Sequence, residues 1–172
     1  QSKVYVVEPS GGFQKRGALW EVDATGQRKV LSNFGLDFQG PRGKRPVRVA
    51  VRPNGTILVV DQQAGSGGRG ALFKISPETG ARSNLSDIGK KAQGPLDNRP
   101  LDLLVGQDVQ ILVLTQGSSG GKGSIWRIDP RTGVRTSFSD FRNVAQGPPI
   151  LGYISSGLAL SPDGDIIVLD DL

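Results

Sequence analysis

The chain says one thing three times. "GALW" at 17–20, "GALF" at 70–73 and "GSIW" at 123–126 set Trp20, Phe73 and Trp126 at a constant spacing of 53 residues. The likeness extends far to either side. One cycle reads "TILVVDQQAGSGGRGALFKISPETGARSNLSDIGKKAQGP" (56–95), the next "QILVLTQGSSGGKGSIWRIDPRTGVRTSFSDFRNVAQGPP" (110–149), and the first "KVYVVEPSGGFQKRGALWEVDATGQRKVLSNFGLDFQGP" (3–41). Gln39, Gln93 and Gln146 each open a Gln-Gly-Pro, while Thr25, Thr79 and Thr132 each precede the glycine of a turn. A sequence that keeps such a register folds as an array of like supersecondary units, a solenoid or a propeller.

Each unit holds four short segments, seen in the second cycle as "VRVAV" (47–51), "TILVVD" (56–61), "ALFKIS" (71–76) and "ARSNLSD" (81–87). Runs of Val, Ile, Leu and Phe bounded by Pro, Asn and Gly are strand and turn chemistry, and 25 glycines with 11 prolines supply many tight turns. The joining segments are too short for a crossover helix, so neighbouring strands are antiparallel. Four antiparallel strands per repeat is the plan of a propeller blade.

"VAVRPNGTILVVD" and "LALSPDGDIIVLDD", the first followed by "GALFKISPETG", resemble the blade repeats of NHL-type and SMP-30-like β-propellers, over essentially the whole chain. The resemblance implies an all-β propeller of four-stranded antiparallel blades. It does not choose a function, because such propellers include enzymes, scaffolds and binding modules. The chain is expected as one repeat domain: partial blade 1–46, blades 47–99 and 100–152, and partial blade 153–172. It opens on a second strand and closes on another second strand, giving thirteen strands in groups of three, four, four and two. Three blade-equivalents are too few for an ordinary ring of 4 to 8. The chain is therefore half of a six-bladed ring or part of a longer propeller, and its open blade edges call for a partner, self-association being the favoured outcome.

Composition removes several chemistries. With no cysteine there is no disulfide, zinc-thiolate site or thiol nucleophile. With no histidine the commonest general base is missing, which nearly closes the streptogramin-lyase branch that the resemblance raises. No apolar stretch is long enough for a membrane-spanning helix. Gln1-Ser2-Lys3 leads straight into an apolar run with no signal core, as in a mature or trimmed chain, and an extracellular or periplasmic location is favoured.

In a meander the links after the second and fourth strands emerge on one face. That face collects the Gly-rich loops, the Gln-Gly-Pro loops and a basic residue recurring before each third strand: Arg16, Arg69 and Lys122. With a net charge of +5, this face is either a surface for anionic polysaccharide or another acidic partner or a solvated rim that preserves solubility. Nucleic acid is the weakest ligand class, since no aromatics are interleaved for base stacking. The Gly-rich runs are not P-loops, because Gly follows Lys122 and the run enters a strand; a flexible hairpin loop is the plain reading. Gln39, Gln93 and Gln146 are either a repeated ligand site, their carboxamides able to donate and accept, or locks between blades. The aromatics at 20, 73 and 126 are read as core packing, and Asn33, Asp87 and Asp140 as turn residues.

Resemblance to SMP-30-like propellers implies a hard divalent cation, calcium for instance, held by oxygen ligands at the channel mouth. Glu8, Asp61 and Asp170 (with Asp171 beside it) fall at the equivalent strand end, although the third cycle has Thr115 there. The rival role for such a carboxylate is to accept hydrogen bonds from its own turn. The leading reading is a non-catalytic binding or assembly module with no required cofactor. The competing one is a metal-dependent lactonase or hydrolase.

Overall fold

The computed structural model describes residues 3–117, 122–148 and 157–169. Among them are thirteen strands: β1 (Val4–Glu8), β2 (Ala18–Val22), β3 (Arg28–Asn33), β4 (Pro46–Val51), β5 (Ile57–Asp61), β6 (Ala71–Ile75), β7 (Arg82–Asp87), β8 (Pro100–Val105), β9 (Ile111–Thr115), β10 (Ser124–Ile128), β11 (Arg135–Asp140), β12 (Gly157–Leu160) and β13 (Ile166–Leu169). They form antiparallel sheets β1-β2-β3, β4-β5-β6-β7, β8-β9-β10-β11 and β12-β13. The all-β blade plan expected from the repeat is the observed one.

The apolar pattern explains why the sheets stack as blades. β5 and β9 are buried at every position on both faces, as befits the second strand of a sheet sandwiched between two neighbours. One cluster joins Leu19, Leu31 and Phe34 to Ile57, Val59, Phe73 and Ile75. The next joins Leu58, Val60, Leu72 and Leu85 to Ile111, Val113, Trp126 and Ile128, and a third sets Leu112, Leu114 and Ile125 against Leu158, Ile166 and Val168. Each core thus lies between blades rather than within one, and burial of each large side chain contributes roughly 1.5–3 kcal/mol. Phe73 and Trp126 are core residues, whereas Trp20 is only half-buried.

The inner strands run side by side, β4 against β8 and β8 against β12. Asp102 on β8 ties them together: Arg48 Nε donates to its Oδ1 (3.1 Å) and the Leu158 amide to its Oδ2 (2.7 Å).

The outer edge carries a feature not visible as a strand pattern. In all three pairings of third with fourth strand the register slips by one residue, leaving Leu31, Leu85 and Phe138 as bulged residues. The Gln-Gly-Pro loop repairs the slip. Gln39 Oε1 accepts from the Asn33 amide and Nε2 donates to the Leu31 carbonyl; Gln93 does the same with Asp87 and Leu85 and also donates to Thr132 of the next blade. Gln146 Oε1 accepts from the Asp140 amide. Each glutamine lies in a single 3-10 turn, at Asp37–Gln39, Lys91–Gln93 and Val144–Gln146.

Candidate functional site

The loops after the second and fourth strands gather on one face, where they border an open depression of about 980 Å³ between the second and third blades. Its cations are Lys44, Arg69 and Arg99, and its amides are Gln62, Gln63, Asn98 and Gln116. Among the described residues no carboxylate lines it. Gly67, Gly68 and Gly117 keep the floor free of side chains. Arg99 Nη1 donates to Gln116 Oε1 at 3.0 Å, which fixes one guanidinium edge.

The Gly-rich loop of this site is fastened rather than flexible. Asp87 accepts from the Ser66 amide and hydroxyl and from the Gly89 amide, and the Gly70 amide donates to the Ala64 carbonyl at 2.8 Å. Asn33 plays the same part for the first blade, accepting from the Phe13 and Gly35 amides. Asp140 accepts instead from the amide and guanidinium of Arg142, and its carboxyl is held below the usual range by that side chain first.

Of the residues singled out in the sequence, Arg69 lines the depression, and its Nη1 also reaches the Asp97 carbonyl (3.4 Å). Arg16 makes the equivalent bond to Gly43 O (3.1 Å) one blade earlier, and Lys122 is half-buried at the matching position of the third. Gln39, Gln93 and Gln146 stand apart from the depression, their carboxamides engaged as described above. The carboxamides that line the depression are Gln62, Gln63, Asn98 and Gln116, of which Gln62 and Gln116 occupy the same repeat position at the ends of β5 and β9.

The strand-end carboxylates have partners of their own. Asp61, fully buried, accepts from the amides of Lys44, Arg45, Gln63 and Ala64 at 2.7–3.0 Å. Glu8 Oε2 accepts from Trp20 Nε1, and Asp170 lies outside the described residues. Among the described residues no three carboxylates gather as a cation site would require.

Beneath the depression the sequence missed Asp97. Buried, it accepts at Oδ2 from Thr115 Oγ1 (2.6 Å) and Trp126 Nε1 (2.7 Å), and at Oδ1 from the Asn98 amide. One repeat earlier, the residue in register with Asp97 is Gly43, and a Cβ on Gly43 would lie 2.7 Å from Asp61 Oδ2. The pair Gly43/Asp61 has become Asp97/Thr115: the carboxylate has moved to the opposite strand end while occupying the same space.

The fold defines the class of this protein, a β-propeller of four-stranded antiparallel blades. It is similar in structure to TolB from Acinetobacter baumannii (TM-score 0.56, 16% identity, covering 94% of this chain and 33% of that one) and to a luciferin-regenerating enzyme (TM-score 0.53, 12% identity, covering 85% and 40%). At those identities the likeness is one of fold. In sequence, 81 residues are 37% identical to adipocyte plasma membrane-associated protein of Salmo salar, covering 47% of this chain and 18% of that protein. No protein-family model matches. The chain spans well under half the length of each of these proteins.

Proposed function

We propose that this propeller is a non-catalytic binding and assembly module acting outside the cytoplasm, taking anionic, hydroxyl-rich ligands such as acidic polysaccharide on its loop face and associating through its open blade edges. The observation that carries the ligand class is the depression itself, three cations interleaved with four carboxamides and free of carboxylates along its lining. Guanidinium groups bind carboxylate and sulfate in bidentate fashion, and carboxamides suit sugar hydroxyls as donor and acceptor together. A location outside the cytoplasm is supported by the plasma-membrane association in the Salmo salar relative's name.

The test is calorimetric titration with heparin and with polygalacturonate at low and high salt. Binding that weakens with salt, and falls about tenfold or more in an Arg69→Ala/Arg99→Ala variant, is the expected result. Absence of salt-sensitive binding to either polymer overturns the ligand class. The hydrolase alternative needs Asp61 to give up its backbone amides to a cation; calcium or manganese that raises thermal stability in the parent chain and not in Asp61→Asn would favour it.

A further inference from the structure

Two buried arginines fasten blade to blade. Arg82 on β7 reaches back to the preceding blade, donating to Ser32 Oγ and to the carbonyls of Asn33, Leu36, Gly40 and Pro41. Arg135 on β11 repeats this one blade on, with Ser86 Oγ and the carbonyls of Asp87, Ile88, Lys90, Gly94 and Pro95. Among the described residues no carboxylate touches either guanidinium, so the Gln-Gly-Pro loop is a cage of carbonyl dipoles built for an incoming arginine. The glycine of that loop marks the approach: a Cβ on Gly40 would lie 2.1 Å from the Arg82 carbonyl, and one on Gly94 2.6 Å from that of Arg135. The turn before each arginine presses the other way, Gly80 on the Leu31 carbonyl (1.8 Å) and Gly133 on that of Leu85 (1.6 Å).

Both halves of one more lock are present, and among the described residues neither holds its counterpart, although the Arg127 guanidinium lies over the Phe138 ring (5.3 Å). On the first blade the equivalent donor is Arg28, paired with Val22 through its backbone but exposed, its guanidinium without a hydrogen-bond partner among the described residues, and a Cβ on its turn glycine, Gly26, meets nothing within 4 Å. The apolar face beside it, Val4, Val6, Trp20 and Val22, matches in register the face Ile57, Val59, Phe73 and Ile75 that packs on the first blade. Val4 and Val6 are 58% and 46% exposed. By register with the loop that holds Arg135, the third blade's counterpart is Ser139 and the carbonyls of Asp140, Asn143, Gly147 and Pro148. Gly147 meets nothing within 4 Å. The bulged Phe138, in the place of Leu31 (7% exposed) and Leu85 (5%), is 38% exposed.

We infer that these two surfaces are the halves of one interface between copies of this chain: Arg28 of one copy enters the Ser139–Pro148 loop of another while Trp20 covers Phe138. The inference rests on the assembly part of the proposed function and specifies its contacts. So placed, β1 of the incoming copy lies beside β12 where β13 now pairs, with Val4 and Val6 in the positions of Ile166 and Val168. A two-stranded sheet is marginal by itself, and the exchange replaces its second strand with the three-stranded sheet β1-β2-β3. The contact is reciprocal, so two copies close a ring of six blades.

Because the chain has no cysteine, cross-linking reads the contact cleanly. Arg28→Cys chains mixed with Pro148→Cys chains, treated with a short bifunctional thiol reagent, are expected to give a mixed dimer, whereas neither variant alone does. In sedimentation, Arg28→Ala is expected to raise the dimer dissociation constant at least tenfold. Gly147→Ala has open space but strains its own turn, whose φ is 140°; it is expected to abolish dimers, with circular dichroism and thermal melting run in parallel to show that the monomer is still folded. Association unaffected by Arg28→Ala and Gly147→Ala, with no mixed cross-link, overturns this interface and leaves assembly through another edge standing. A chain that stays monomeric at all concentrations overturns both.

Discussion

At the scale of single residues, the informative groups are polar ones buried against backbone. Asp61 and Asp97 hold the same space by different routes, and the exchange makes a sharp prediction. Asp97→Gly strips Trp126 Nε1 and Thr115 Oγ1 of their shared acceptor and is expected to cost about 1–3 kcal/mol. Thr115→Asp alone crowds a second carboxylate against Asp97 and also destabilises. The double variant rebuilds the Gly43/Asp61 arrangement, so it is expected to recover most of the loss in a denaturant titration; losses that simply add would contradict the account. Strand-end carboxylates were legible as a repeated class in the sequence, but aligning by register hides a group that has crossed to the opposite element, which is why Asp97 went unseen.

At the scale of elements, the fourth strand of each blade is where sequence and structure part. The strand pattern, the turns and the antiparallel pairing were all legible from the 53-residue register, because apolar alternation and Gly or Pro punctuation are local signals. "ARSNLSD" and "VRTSFSD" are legible as fourth strands, but nothing local in them marks Arg82 and Arg135 as buried, because their acceptors sit 40 or more residues earlier in the chain. Burial pulls the Arg82 guanidinium down to about 10 against the pull of Asp37, so it remains a cation at neutral pH, and burial lowers Arg135 likewise against Asp87 and Asp97; both are solvated by carbonyls instead of water. Removing such a group leaves several buried carbonyls without a donor. Arg135→Met is expected to lower the unfolding free energy by about 3 kcal/mol. Arg28→Met, at the register-equivalent exposed position, is expected to change the dilute monomer by less than about 0.5 kcal/mol. Equal effects at the two sites would show that the interblade bonds carry no stability.

At the scale of the whole molecule, stability is expected to fall in acid. Glu21 is held below its ordinary 4.5 by its hydrogen bond from Lys3, against burial and with help from Lys29. Asp23 and Asp129 are lowered from 3.8 by bonds from their own turns, led by the Thr25 side chain and the Thr132 amide, and Asp140 by Arg142. The unfolded chain takes up protons first, so the stabilisation is full above the ordinary carboxylate range and drains away as pH falls through the lowered folded values; a melting temperature constant from pH 6 to 3 would contradict this. The blades themselves stack as a one-dimensional series in which each interface repeats the last, and the series leaves a donor face at Arg28 and an acceptor cage at Ser139–Pro148. The direct measurement is molar mass by sedimentation equilibrium across a concentration series. A species of twice the 18.2 kDa chain, lost on Arg28→Ala, is the predicted result, and a single 18.2 kDa species at every concentration contradicts it.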